Sequence, residues 1–372
     1  MPQALTAALA LLDRVPLIDG HNDLPWVVRL GGGLDNLAGY DLSRLHPETD
    51  TDIPRLKSGK VGAQVLAAYL PTTISHPAMV TLEQIDLILR IEDMYPDVFH
   101  PCRKASDVAR AHRLGKIGSI VAVEGTVGLR GSLAPLRIWQ RVGVRLVTLC
   151  HNESLPWVDS ATDAPGDDGG LSAFGVALIA ELNRLGIMVD MAHVAPHAMH
   201  KVLDVAKAPL LITHSCATTL CPHPRNTPDD VLDRLPASGS VIMATFVPEF
   251  LNPSSWAAVK GYKDQWGKNR TDIAKADLVA ARKACISGWD KDGIAYLCDH
   301  LAYLRDRVGE DHIGLGSDYY GGPNPPGLED VSKYPNLIAE LIRRGWSDKQ
   351  LAKLINGNFL RVWRKVEKRA AL

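Results

Sequence analysis

Eight short apolar runs, each closed by a turn or a polar residue, constrain this chain more than any other feature. They are "PLIDGH" at 16–21, "GAQVLAAYL" at 62–70, "IGSIVAVEG" at 117–125, "GVRLVTLCH" at 143–151, "GIMVDMAH" at 186–193, "APLLITH" at 208–214, "GSVIMATF" at 239–246 and "HIGLGSD" at 312–318. Runs that are apolar throughout and turn polar only at their ends suit parallel strands covered on both faces. Between them lie stretches such as "LEQIDLILRIEDMY", "LSAFGVALIAELNRLG" and "NLIAELIRRG", whose apolar residues recur at helical spacing and which often end near glycine. Eight such units predict an α/β fold, a closed (β/α)8 TIM barrel. A chain of 372 residues fits one such domain over 1–372, with a long strand-free insertion at about 247–311 placed to shape the mouth of the barrel or a dimer contact.

Composition narrows the functional classes. With 46% hydrophobic and 22% charged residues the chain can bury an ordinary globular core. A net charge of −1 and the absence of a basic, aromatic-interleaved run argue against nucleic acid as a partner. Ala4 to Leu12 is apolar but lacks a basic start and a cleavage site, so it reads as a first helix. No membrane anchor is expected, because no run of eighteen apolar residues occurs and the terminal "VWRKVEKRAAL" is basic and helical. The six cysteines form no CxxC pair and read as buried, reduced thiols in a cytoplasmic protein. "NES" at Asn152 and "NRT" at Asn269 read as chance matches to a glycosylation pattern.

The polar residues that end the runs carry the chemistry: His21 and Asp23, Glu124, His151, His193, His214 and Asp318. On an extended chain His21 and Asp23 leave the same face. Barrel chemistry sits at the carboxyl ends of the strands, so these seven side chains from six strands should converge. Of thirteen histidines, His46, His76, His100, His112, His223, His300 and His312 fall in loops or helices, where no ligand role is expected. In "HVAPHAMH" the spacing of His193, His197 and His200 resembles a helical metal motif, but Pro196 favours a helix starting near Ala195, leaving His193 on the strand end. Three histidines and two carboxylates suit zinc or a similar divalent ion, and a glutamate can bridge two ions. A water between two such ions has its pKa lowered to about 7 and can attack an amide. In "CPHPRNTPDD", Arg225 either forks onto a substrate carboxylate or is a surface loop arginine, and the segment alone leaves both readings open.

Together these pieces resemble the renal or membrane dipeptidases, zinc peptidases with an amidohydrolase-like, metal-dependent hydrolase barrel. The likeness runs from "DGHNDLP" through "VEG", "HN" with "PWVDS", "VDMAH", "THS" and "HPRN" to "GLGSD" and "NGNFLRVW". It implies a binuclear site with two Zn2+ ions, His21 and Asp23 on one, His193 and His214 on the other, and Glu124 bridging them together with a water or hydroxide. It also implies that His151 contacts the substrate near the reaction centre, that Arg225 binds the dipeptide's carboxyl terminus, and that Asp318 handles the proton and the substrate amine. The substrate would be a small dipeptide, a D-residue at its carboxyl side often being tolerated, and the family suggests β-lactams and homodimers as well. Departures are Thr126, where a second glycine is usual, and Tyr320, where an acid is usual. Rival readings are an amidohydrolase for N-acyl amino acids, lactams or esters, and a non-catalytic metal or peptide binder.

Overall fold

The computed structural model describes residues 2–166, 168–266, 285, 286, 289, 292–321 and 324–370, so Asn269 and much of the 247–311 insertion lie outside the described residues. Nine parallel strands are described: β1 (Leu17–Asp19), β2 (Val61–Tyr69), β3 (Phe99–Pro101), β4 (Ile117–Glu124), β5 (Val144–Thr148), β6 (Met188–Asp190), β7 (Leu211–Ser215), β8 (Val241–Ala244) and β9 (Ile313–Leu315). Eight run in the order β1-β2-β4-β5-β6-β7-β8-β9, and every predicted strand is among them. The ring closes where the Gly20 N–H donates to the Leu315 carbonyl at 3.0 Å and Asn22 bridges Tyr319. This is a (β/α)8 TIM barrel.

The ninth strand, β3, is not among the predicted ones, since "FHP" is too short to show a period. It lies along Ile117–Ser119 of β4, below Val121, where β5 begins to pair. Two buried clusters divide the core. One lies between the strands and the surrounding helices. The other fills the lumen with Ile18, Val65, Ile120 and Leu146, capped by Phe359 and Trp363 of the helix Asn358–Ala370. The basic, helical terminus read in the sequence is therefore amphipathic because it plugs the amino-terminal end of the barrel.

The helix after β6 starts at Pro196 with Ala195 as its cap, as the proline predicts. His197 and His200 pair with Asp159 and Asp230 at 2.9 Å each. Within 247–311 the described elements are the helices Pro248–Leu251, Pro253–Trp266 and Gly293–Val308, and no strand occurs among the described residues. All six cysteines are buried and none is in a disulfide. Among the described residues no helix is long and apolar enough to cross a membrane.

Candidate metal and substrate site

The seven strand-end side chains meet at the carboxyl-terminal mouth. Strand alternation explains Glu124: Ile120 and Ala122 pack in the lumen cluster, Val121 and Val123 in the outer one, so Glu124 projects into the barrel. Its two oxygens divide. Oε2 lies 3.5 Å from His21 Nε2, while Oε1 lies 3.1 Å from His193 Nε2 and 3.5 Å from His214 Nε2. His21 Nε2 also approaches Asp23 Oδ1 at 3.6 Å and Asp318 Oδ1 at 3.9 Å. His151, half-buried at the end of the β5 run, packs its ring 4.3 Å from that of His193 and 4.8 Å from that of Tyr69.

Three groups of donors are tight enough for a metal ion: His21, Glu124 and His214; Glu124, His151 and His193; and His21, Asp23 and Asp318. Two of the three share Glu124. Several observations fit cations here. Both ring nitrogens of His21, Asp23 Oδ1 and His193 Nδ1 are buried without a hydrogen-bond partner. His193 Nε2 and His214 Nε2 face each other at 2.9 Å, which two neutral imidazoles tolerate only with a proton or a cation between them. The donor set of imidazole and carboxylate suits zinc and similar divalent ions.

The electrostatics agree. Burial, reinforced by nearby positive groups including Arg225, drives His193 and His214 well below the usual imidazole range, so both are neutral and ready to ligate. Burial raises Glu124, with His21 opposing, and raises Asp318 well above its ordinary value. Burial also disfavours charge on His21, but Glu124 and Asp23 outweigh it and raise that ring well above its ordinary value. Bound dications would reverse the penalty on the charged forms of these buried carboxylates.

Two of these positions require unusual backbone. His193 (φ 71°) and Asp318 (φ 61°) are both left-handed, a conformation costly for side chains with a Cβ and concentrated at functional sites. Gly321 makes room for Asp318, since a Cβ there would sit 2.2 Å from the Asp318 carboxylate.

Arg225 is no surface arginine. It is 3% exposed, both terminal NH2 groups lack partners, and its guanidinium lies 5.6 Å over the Phe250 ring. Burial pushes it down to about 10, with Asp318 and Glu124 pulling the other way. An unsatisfied buried fork of this kind is a ready partner for a carboxylate.

The two departures have structural work. The Thr126 hydroxyl donates to the Leu149 carbonyl at 2.5 Å and accepts from Trp157 Nε1 at 2.8 Å, joining the loop after β4 to that after β5. Tyr320 accepts the N–H groups of Asp50 and Thr51 at 3.0 and 2.7 Å. Thr51 in turn accepts from the Asn22 side chain at 3.0 Å, so one loop holds both the His21–Asp23 turn and the Asp318 turn. Sequence reasoning gave Tyr320 no positioning role, because its partners Asp50 and Thr51 lie about 270 residues away along the chain.

The family model described as membrane dipeptidase (peptidase family M19) matches residues 5–372. The chain is 35% identical over 378 residues to the dipeptidase verJ of Clonostachys rogersoniana, covering 98% of this chain and 87% of that protein. It superposes on the probable dipeptidase PvdM of Pseudomonas aeruginosa with a TM-score of 0.85 at 25% identity, covering 99% of this chain and all of that one (100%). A metallo peptidase of Rhodobacter sphaeroides, solved with a phosphinate mimic of the dipeptide L-Ala-D-Ala, superposes with a TM-score of 0.77 at 25% identity over 95% of this chain and 99% of that one.

Proposed function

Since the chain belongs to peptidase family M19 and is a metallo-dipeptidase, we propose that it hydrolyses small dipeptides, including those with a D-residue at the carboxyl side, at a binuclear zinc site. In this reading residues 1–372 form one hydrolase domain with its insertion at about 247–311. His21 and Asp23 would hold one ion and His193 and His214 the other, with Glu124 bridging. The division of Glu124's two oxygens between His21 and the His193–His214 pair is the observation that carries it. The L-Ala-D-Ala mimic in the Rhodobacter sphaeroides relative supports the substrate class.

Two bound zinc ions would supply an activated water and a polarised carbonyl. The chain's own residues do the rest. Arg225 forks onto the terminal carboxylate and sets the dipeptide's register, and its burial makes that ion pair strong. His151, beside His193, donates to the oxygen on which negative charge develops. Asp318 engages the substrate's free amine and carries the proton to the leaving nitrogen; its raised pKa suits it to hold that proton. Six buried cysteines, none of them in a disulfide, support a reducing, cytoplasmic setting.

The test is turnover of L-Ala-L-Ala, L-Ala-D-Ala and N-acetyl-D-Ala by protein stripped of metal and then reloaded with Zn2+. Zinc-dependent cleavage of the free dipeptides is expected, and Arg225→Ala should raise KM by roughly 10- to 100-fold, the worth of a lost charge-assisted pair. Cleavage of the acylated compound alone would overturn the dipeptide reading in favour of a wider amidohydrolase activity. Dipeptide binding without turnover would leave a binder.

A further inference from the structure

Two residues of the strand-end motifs, Asp190 of "VDMAH" and Thr213 of "THS", have no part in the site described above, yet both are fully buried directly beneath it. The β6–β7 ladder holds a single residue pair, Asp190 with Leu211. Beyond it the Asp190 side chain takes over. Oδ1 accepts the N–H groups of Thr213 at 2.8 Å and Ala192 at 3.0 Å. Oδ2 accepts the hydroxyls of Thr213 at 2.7 Å and Thr148 at 2.6 Å.

These bonds have a consequence for the neighbouring ring. A threonine hydroxyl has one proton, and that of Thr213 goes to Asp190. Toward His214 Nδ1, 2.9 Å away, Thr213 Oγ1 can therefore only accept. The proton of a neutral His214 ring must then sit on Nδ1, leaving the Nε2 lone pair facing Glu124 Oε1 and His193 Nε2. We infer that Asp190 and Thr213 are positioning residues, a buried relay that fixes the tautomer and orientation of His214 for metal binding. The inference rests on the proposed reading of His214 as a ligand.

Asp190→Asn is the informative substitution because it changes no volume. Two backbone N–H groups require an oxygen at the Oδ1 position, so the new amide nitrogen must take the place of Oδ2. It then donates to Thr213, whose proton turns toward His214 Nδ1 and drives the ring's own proton onto Nε2. A ring in that tautomer cannot ligate through Nε2, the logic by which an Asp→Asn change beside a catalytic histidine disables serine proteases.

The experiment is Zn2+ titration of the metal-free protein against a competing chelator, with 15N chemical shifts of the labelled histidines read in parallel. Thr213→Val should weaken the more weakly held ion by about 10- to 100-fold, the usual effect of losing an outer-shell partner. Thr213→Ser should restore it. Asp190→Asn should weaken it more than Thr213→Val and move the His214 resonances to the Nε2–H pattern. Thermal unfolding of each metal-free variant identifies any that fail to fold, in which case the His214 shifts of the metal-free wild type still decide, an Nδ1–H pattern supporting the relay and an Nε2–H pattern overturning it. Wild-type affinity in Thr213→Val and Asp190→Asn, alongside loss of an ion in His214→Ala, would overturn the relay alone. Two ions still held by His214→Ala would overturn the site reading on which it rests.

Discussion

Two seams of the barrel are closed by the same device and to different ends. Where β9 meets β1, Asp19 replaces ladder bonds: Oδ1 accepts the Ser317 N–H at 2.8 Å and the His21 N–H at 3.4 Å, and Oδ2 accepts the Ser317 hydroxyl at 2.6 Å and Gln64 Nε2 at 2.9 Å. Where β6 meets β7, Asp190 makes the matching set with Thr213, Ala192 and Thr148. In each, one carboxylate serves the N–H two residues along its own chain and both the N–H and hydroxyl of a residue across the gap. The two seams differ in the neighbour that hydroxyl touches. Thr213 precedes His214 and touches its ring, whereas Ser317 precedes Asp318, and the bonds of its hydroxyl run to Asp19 and the His21 carbonyl. One seam reaches the His214 ring through a side chain. The other fixes its half of the site mainly through backbone: Asp318 N–H to the His21 carbonyl and Asp23 N–H to the Tyr319 carbonyl.

The shared device predicts equal and large costs when it is removed. Asp19→Ala and Asp190→Ala each strand buried N–H and hydroxyl groups, at about 1–3 kcal/mol per group, so urea unfolding of the metal-free proteins should show losses of at least about 3 kcal/mol in both. A loss under about 1 kcal/mol at one seam would mean that seam is held by something else.

The Tyr320 bracket at the β1–β9 seam gives the next effect. Tyr320→Phe removes the acceptor from two loop N–H groups and should cost about 1–2 kcal/mol, with the larger kinetic change in kcat because Asp318 shares the turn. Ser317→Ala sharpens the contrast further. It should cost about 1 kcal/mol of stability while leaving affinity for both ions within about twofold, unlike Thr213→Val.

The smallest effect lies away from both seams and serves as a reference. Arg184, with burial opposing and Arg137 assisting, holds Glu181 down to about 2 from an ordinary 4.5. Because the folded value is depressed, its contribution is present above about 4.5 and is lost as pH falls toward about 2. Glu181→Gln should therefore lower stability at pH 7 by less than about 1 kcal/mol, screened by solvent, and by nothing near pH 2.

Periodicity and position made much of this molecule legible in its sequence. Continuous apolar runs identified all eight barrel strands, and the residues ending them proved to share one mouth, because a parallel barrel places every strand terminus on the same rim. Pro196 placed His193 outside its helix correctly. The features that escaped depend on contacts across the barrel. β3 is three residues long and carries no period. Asp19 and Asp190 look like ordinary polar strand ends until the gaps they span are seen. Arg225 could be separated from a loop arginine only by its burial. Thr126 and Tyr320 stood out as departures, but the hydrogen-bond partners of Thr126 lie 23 and 31 residues away along the chain and those of Tyr320 about 270.

Metal stoichiometry tests most directly whether one carboxylate serves both ions. Elemental analysis of zinc-reloaded wild type and Glu124→Ala, with L-Ala-D-Ala turnover measured on the same samples, should find two ions per chain in the wild type. The variant should lose both ions and its activity together. A Glu124→Ala protein that still holds two zinc ions, or loses one while the other stays at wild-type affinity, would contradict the bridge.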